Sequence, residues 1–128
     1  MARLKAKPLW LKRKEMDIQT FITTWIVVGN EFDTGKYLGF YLPDAVLDDP
    51  SVGRKFVGHA GIQQYFNDYF IGYNTHTELV SLEIIDAYTA HLEVQFSGDF
   101  PEGRIRGTFD FTFENEKIAF VRANLLHQ

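Results

Sequence analysis

The chain has 128 residues, 45% of them hydrophobic and 16% aromatic, and no cysteine. That is enough apolar material for one domain with its own core, and it excludes disulfides, thiol nucleophiles and thiolate metal sites. The net charge of −4 hides an asymmetry: residues 1–15 hold six Lys/Arg against Glu15 alone, whereas the rest carries 7 basic and 16 acidic side chains. An acidic body repels a phosphate backbone, and no basic stripe interleaved with aromatics compensates, so nucleic acid is not the expected partner. The basic segment reads as a flexible arm ahead of a domain spanning residues 16–128. The apolar piece Leu9-Trp10-Leu11 is too short for a signal sequence, and no run reaches the length of a membrane span, so a cytoplasmic protein that does not engage membranes is expected.

Ile18, Phe21, Ile22, Trp25 and Ile26 fall at i, i+3, i+4, i+7 and i+8, which predicts a helix buried on one face. Asp17 is its N-cap, and Gly29-Asn30 its stop. Asp33 caps a shorter helix running through Tyr37, Leu38 and Tyr41, which Pro43 terminates; Gly35 and Gly39 weaken it. Ala45 to Asp48 reads as a short strand and Asp49-Pro50-Ser51-Val52-Gly53 as a turn. A third helix follows Gly58-His59, with Ile62, Tyr65, Phe66, Tyr69 and Phe70 on one stripe and Gly72 at its end.

Beyond Gly72 the pattern changes to β-rich runs near 75–85, 90–97, 104–113 and 118–126, separated by short turns that make successive strands antiparallel neighbours. Leu92, Val94 and Phe96 share one face of their strand, as do Ile105, Gly107, Phe109, Phe111 and Phe113, and then Val121, Ala123 and Leu125. His91, Glu93, Arg106, Asp110 and Arg122 occupy the opposite face. One sheet face is therefore apolar and needs cover, which the three helices supply. The expected class is α+β: a cone of three N-terminal helices packed on a curved, mostly antiparallel sheet. There is no internal repeat and no second domain.

This element order, with Asp44-Ala45-Val46-Leu47-Asp48-Asp49-Pro50, Gly58-His59-Ala60-Gly61-Ile62-Gln63-Gln64-Tyr65-Phe66 and Phe109-Asp110-Phe111-Thr112-Phe113, resembles the SnoaL-like and ketosteroid isomerase-like branch of the nuclear transport factor 2-like superfamily. The resemblance covers nearly all of residues 16–126. It implies a conical apolar pocket and a homodimer, and no cofactor or metal is expected. Its members include isomerases, cyclases, dehydratases and pure binding modules, so the fold alone selects no reaction. It places Asp49 where the isomerases keep a general-base aspartate, a role that requires an acidic C–H within reach and apolar surroundings. It also shows a departure. Trp25 stands at the position of the isomerases' oxygen-binding tyrosine and Phe109 at that of their protonated acid. Asp110, one residue on, points to the other sheet face.

The residues expected to line such a pocket are Trp25, Tyr41, Tyr65 and Phe66 from the helical half, and Leu92, Val94, Phe96, Phe109, Phe111, Val121 and Leu125 from the sheet. Tyr41, Tyr65 and the Trp25 indole could orient a carbonyl or phenol, although each also fits a plain core role. Asp49 has a bland reading too, as the first residue of an Asx turn before Pro50. His76 is a second acid/base candidate, at the start of its strand. His59 is expected to be solvent-exposed, and His91 and His127 to be non-catalytic. No histidine pair has metal-ligand spacing, and phosphate-loop, dinucleotide and nucleophile-elbow patterns are absent. Two functions fit: a proton-transfer enzyme acting on an apolar cyclic carbonyl compound with Asp49 as base, or a non-catalytic apolar-ligand-binding or dimerisation module. A scaffold acting through the basic arm is a third class.

Overall fold

The computed structural model describes residues 16–126; the basic segment 1–15 and His127 lie outside the described residues. Helix α1 covers Ile18–Asn30 and α2 Thr34–Leu38. Strand β1 (Tyr41–Asp49) leads through a 3-10 turn (Pro50–Val52) into β2 (Arg54–Val57), and α3 (Gly58–Phe66) continues into a single π turn (Asn67–Ile71). Four long strands complete the chain: β3 (His76–Asp86), β4 (Thr89–Ser97), β5 (Arg104–Glu114) and β6 (Lys117–Leu126). The sheet order is β2-β1-β6-β5-β4-β3, and only the β1–β6 pair is parallel. The sheet is curved and not closed, with the helices on its apolar face, so the expected α+β cone is the observed architecture.

The caps read from the sequence are present. Asp17 accepts from the Thr20 amide at 3.1 Å, and Asp33 from the Lys36 amide at 3.0 Å, so the starts of α1 and α2 have side-chain acceptors for their orphan donors. Asn30 does a different job at the end of α1. Its amide donates to the Thr77 carbonyl at 2.9 Å and its Oδ1 accepts from the Thr77 amide at 2.8 Å. The side chain thereby pairs with the β3 edge as a neighbouring strand would, which fixes α1 against the sheet.

Two expectations are corrected. The second helix does not reach Tyr41: it ends at Leu38, and Tyr41 opens β1. The Phe40 carbonyl accepts from the Ile118 amide at 2.8 Å, so sheet pairing captures the chain as soon as the glycine-weakened helix ends. Pro43 then lies inside a strand, in the stretch where the β1–β6 register slips between Tyr41 and Val46 and no ladder donor is demanded of it. Strand β2 was not expected; Arg54 and Lys55 are exposed there and only Phe56 is buried.

Alternation along β4, β5 and β6 sets the core as anticipated. Leu92, Val94, Phe109, Phe111 and Val121 are all buried on the helix side of the sheet. Gly107 sits opposite Val94, and a Cβ added there would lie 2.5 Å from Cε2 of Phe96 and 3.1 Å from the Asn124 carbonyl. The missing side chain lets the Phe96 ring lie across β5. No helix among the described residues is long and apolar enough to cross a membrane.

Candidate functional site

The interior of the cone has two ends, and the first is filled. Trp25 from α1 meets Phe109 and Phe111 edge-on, with ring centroids 5.1 and 5.3 Å apart, and Tyr37 stacks on Phe66 at 4.0 Å. The Trp25 indole N–H donates to the Tyr41 hydroxyl at 3.2 Å, and Tyr41 donates onward to Tyr37 at 2.8 Å. Burial raises the pKa of both phenols, so each remains a neutral hydroxyl. Among the described residues no buried side-chain nitrogen or oxygen lacks a partner. This end is a buried, satisfied aromatic core.

The second end is open. A cavity of about 260 Å³ lies where β1, β4, β5 and β6 meet the π turn. Its inner wall is Asp49, Tyr65, Phe70, Phe96, Ile105 and Leu125. Tyr69, Tyr73 and Thr75 form one side, and Ser51, Val52, Phe100, Pro101 and Glu102 the mouth. Ser51, Val52, Pro101 and Glu102 are exposed, which places the opening between the 3-10 turn and the β4–β5 loop. That loop is held in place: the Asp99 amide donates to the Tyr73 carbonyl at 2.8 Å, and Phe100 meets Tyr73 edge-on at 6.1 Å. A Cβ at Gly98 would fall 2.8 Å from both the Tyr73 carbonyl and the Phe100 ring, so only glycine permits this approach.

Asp49 is 6% exposed, at the last position of β1. Its Oδ1 accepts from the Ser51 amide at 2.9 Å and the Ser51 hydroxyl at 2.5 Å, and its Oδ2 accepts from the Tyr65 hydroxyl at 2.7 Å. The turn role and the cavity position therefore coexist: Asp49 caps the 3-10 turn with one oxygen and meets the α3 tyrosine with the other. Burial, then the Asp49 charge, push the Tyr65 phenol well above its ordinary pKa, so Tyr65 stays protonated and donates. Each carboxylate oxygen has two lone pairs, and Oδ2 spends one on Tyr65, which leaves acceptor capacity on the cavity side.

Of the residues expected to line a pocket, the structure brings Asp49, Tyr65, Phe96 and Leu125 together around the cavity. Trp25, Tyr41, Phe66, Leu92, Val94, Phe109, Phe111 and Val121 lie in the packed core outside it. His76 is exposed and pairs with Ser97, while its neighbours Thr75 and Thr77 are buried; alternation turns its side chain away from the cavity. His59, expected in solvent, is half-buried, and its Nε2 donates to the Tyr41 carbonyl at 2.9 Å. The cavity residues that sequence reasoning missed come mostly from the π turn and the β4–β5 loop. The four-residue spacing of Tyr65, Tyr69 and Tyr73 was the signal available for one wall.

On the outer sheet face the charges pair among themselves. His91 Nδ1 lies 2.5 Å from Asp110, Arg106 bridges to Glu93, and Arg122 approaches Asp48 at 3.1 Å. Among the described residues no group of three His, Asp or Glu side chains converges as metal ligands would.

The fold and the open cavity define a class: the chain has the nuclear transport factor 2-like fold that its motifs implied. A nuclear transport factor 2-like protein of unknown function from Burkholderia xenovorans superposes with a TM-score of 0.76 at 15% identity, over 90% of this chain and 87% of that one. The epoxide hydrolase/cyclase-like enzyme SalBIII, which has a role in pyran ring formation in the polyether salinomycin, gives 0.73 at 19% identity over 84% and 89%. A Mycobacterium tuberculosis protein in complex with estradiol-17beta-hemisuccinate gives 0.70 at 12% identity over 82% and 90%. No family model and no curated protein matches the chain.

Proposed function

We propose that the chain is a SnoaL-like small-molecule enzyme that moves a proton on an apolar cyclic carbonyl compound, with Asp49 as the base. The observation that carries this reading is a carboxylate at the inner wall of an otherwise aromatic cavity, held by Ser51 and Tyr65 with acceptor capacity left toward the open space. In the proposed step Asp49 takes a proton from the carbon beside the carbonyl. The C–H electrons pass into the enolate, and return of the proton to another carbon gives the isomer. Donors for the enolate oxygen cannot come from Trp25 or from Phe109, which pack against each other at the closed end. The hydroxyls of Tyr69 and Tyr73 are the candidates that the cavity wall offers.

Size narrows the substrate. A cavity of about 150 Å³ takes one benzene ring, so 260 Å³ holds a body of one or two rings, and a steroid would have to project from the mouth. Asp49→Asn should lower kcat by about a hundredfold or more while leaving KM within about threefold. A parallel loss of binding would make Asp49 a structural or binding residue.

A second reading, a non-catalytic apolar-ligand-binding module, is favoured by one observation: the hydroxyls of Ser51 and Tyr65 are both spent on Asp49. Under it a ligand raises the melting temperature by mass action and is recovered unchanged. We also propose a homodimer formed through the outer sheet face. Sedimentation at two protein concentrations tests it, and a monomer at both would remove it.

A further inference from the structure

Adjacent acids on β1 have opposite electrostatic settings. Asp48 points outward and is paired with Arg122. Asp49 points inward, and every group that donates to it is neutral: the Ser51 amide, the Ser51 hydroxyl and the Tyr65 hydroxyl. Glu102 adds a second carboxylate at the mouth, and among the described residues that line the cavity there is no Lys, Arg or His. The cavity wall therefore offers no positive charge to these carboxylates, and a ligand that carries one is attracted to them.

The hydrogen-bonding inventory points the same way. The Ser51 and Tyr65 hydroxyl protons go to Asp49, and the Thr75 hydroxyl donates to the Tyr69 carbonyl at 2.9 Å. What the inner wall presents is therefore the Asp49 acceptor, while the Tyr69 and Tyr73 hydroxyls at the side can donate or accept, and the rings of Tyr69, Phe70, Phe96 and Phe100 add faces and edges. A protonated amine satisfies both, since its N–H groups donate to carboxylate and phenolic oxygens and its charge is attracted to aromatic faces. A carboxylate or phosphate ligand meets like charge at Asp49 and Glu102, and a neutral alcohol can hydrogen-bond there but brings no positive charge.

We infer that the molecule this cavity selects carries a protonated amine on an apolar body of one or two rings. The inference rests on reading the cavity as a ligand site and is independent of turnover; on a substrate the amine is an additional group, separate from the carbon that gives up its proton.

The test uses the full-length protein, calorimetry and three matched probes of one shape: 2-naphthylmethylamine, 2-naphthylmethanol and 2-naphthoate at pH 7. The amine should bind about tenfold tighter than the alcohol, and the naphthoate weakest of the three. Glu102→Gln, at an exposed site, should reduce the amine's advantage about twofold. Asp49→Asn should reduce it to about threefold or less, with the alcohol's affinity unchanged. Equal affinities, or a preference for the alcohol or the naphthoate, overturn the inference and leave a ligand cavity. An amine advantage that survives undiminished in both variants also overturns it. Failure of all three probes to bind at millimolar concentration removes the inference and the cavity reading together. Amine binding without product formation from any bound carbonyl compound supports the inference and removes the catalytic reading alone.

Discussion

The closed and open ends of the cone are both lined with tyrosine and phenylalanine, yet their hydroxyls are used differently. At the closed end Trp25, Tyr41 and Tyr37 form a chain of neutral donors and acceptors, satisfied without solvent and without charge. At the open end the Tyr65 hydroxyl donates to the Asp49 carboxylate, and the charge stays in a cavity that solvent can enter. The first arrangement stabilises a core, and the second leaves a carboxylate beside open space. The difference lies in whether the last acceptor is a phenol or a carboxylate, and in whether ring packing continues past it. Trp25 and Phe109 pack against each other at the closed end, so the buried carboxylate Asp49 lies at the opposite end.

The sharpest way to separate the two ends is to empty the closed one. Phe109→Ala removes a 1% exposed ring from the contact with Trp25 and should cost about 3–5 kcal/mol in urea unfolding. Affinity for an amine probe at the open end should change less than about twofold. A large loss of affinity with modest destabilisation would merge the two ends into one functional unit.

Alkaline titration is the next largest effect. Tyr37, Tyr41 and Tyr65 all have raised folded pKa values, mainly from burial. The sign follows from linkage: the folded chain holds these protons more tightly than the unfolded one. Their contribution is therefore whole below the unfolded value of about 10 and is lost as pH rises above it, by about 1.4 kcal/mol per pH unit for each phenol. Tyrosinate absorbance from these three should appear together with unfolding. A phenol that ionises in the folded protein near pH 10 would contradict its burial, and Tyr65, next to the open cavity, is the informative one.

The smallest effect concerns the paired acid. Asp48→Asn removes the partner of Arg122, whose side chain is 51% exposed, and should cost about 1 kcal/mol or less, shrinking as salt is added. It should not alter ligand preference, whereas Asp49→Asn, one residue on, should. Equal effects of the two on the cavity would mean that the outer pair and the inner carboxylate are not insulated by the strand between them.

Element type was largely legible in the sequence, because Ile18 to Ile26 repeat with helical spacing and β4, β5 and β6 alternate cleanly. Short-range pattern failed where pairing decided the outcome. Tyr41 and Pro43 looked like the end of a helix because β6, some seventy residues away, is what makes them a strand. Arg54-Lys55-Phe56-Val57 has too little alternation to announce β2. For the site, alternation told which sheet face turns inward but not how far along it the helices fill the space. Leu92, Val94, Phe109 and Phe111 face inward and are covered; Phe96 and Leu125, on the same face, reach the cavity. Asp49 was identifiable from its place before Pro50, while Phe100, Pro101 and Glu102 lie in a loop whose hold on Tyr73 leaves no local signature.

Gly107 gives the cavity a steric control remote from its polar groups. Because the space above it is occupied by Phe96, even a methyl group at this position would have to shift that ring, and the ring is part of the cavity wall. The shape of the cavity is thus coupled to the missing side chain on β5. Substitution at position 107 is accordingly a route by which the cavity could be reshaped while Asp49, Ser51 and Tyr65 keep their places.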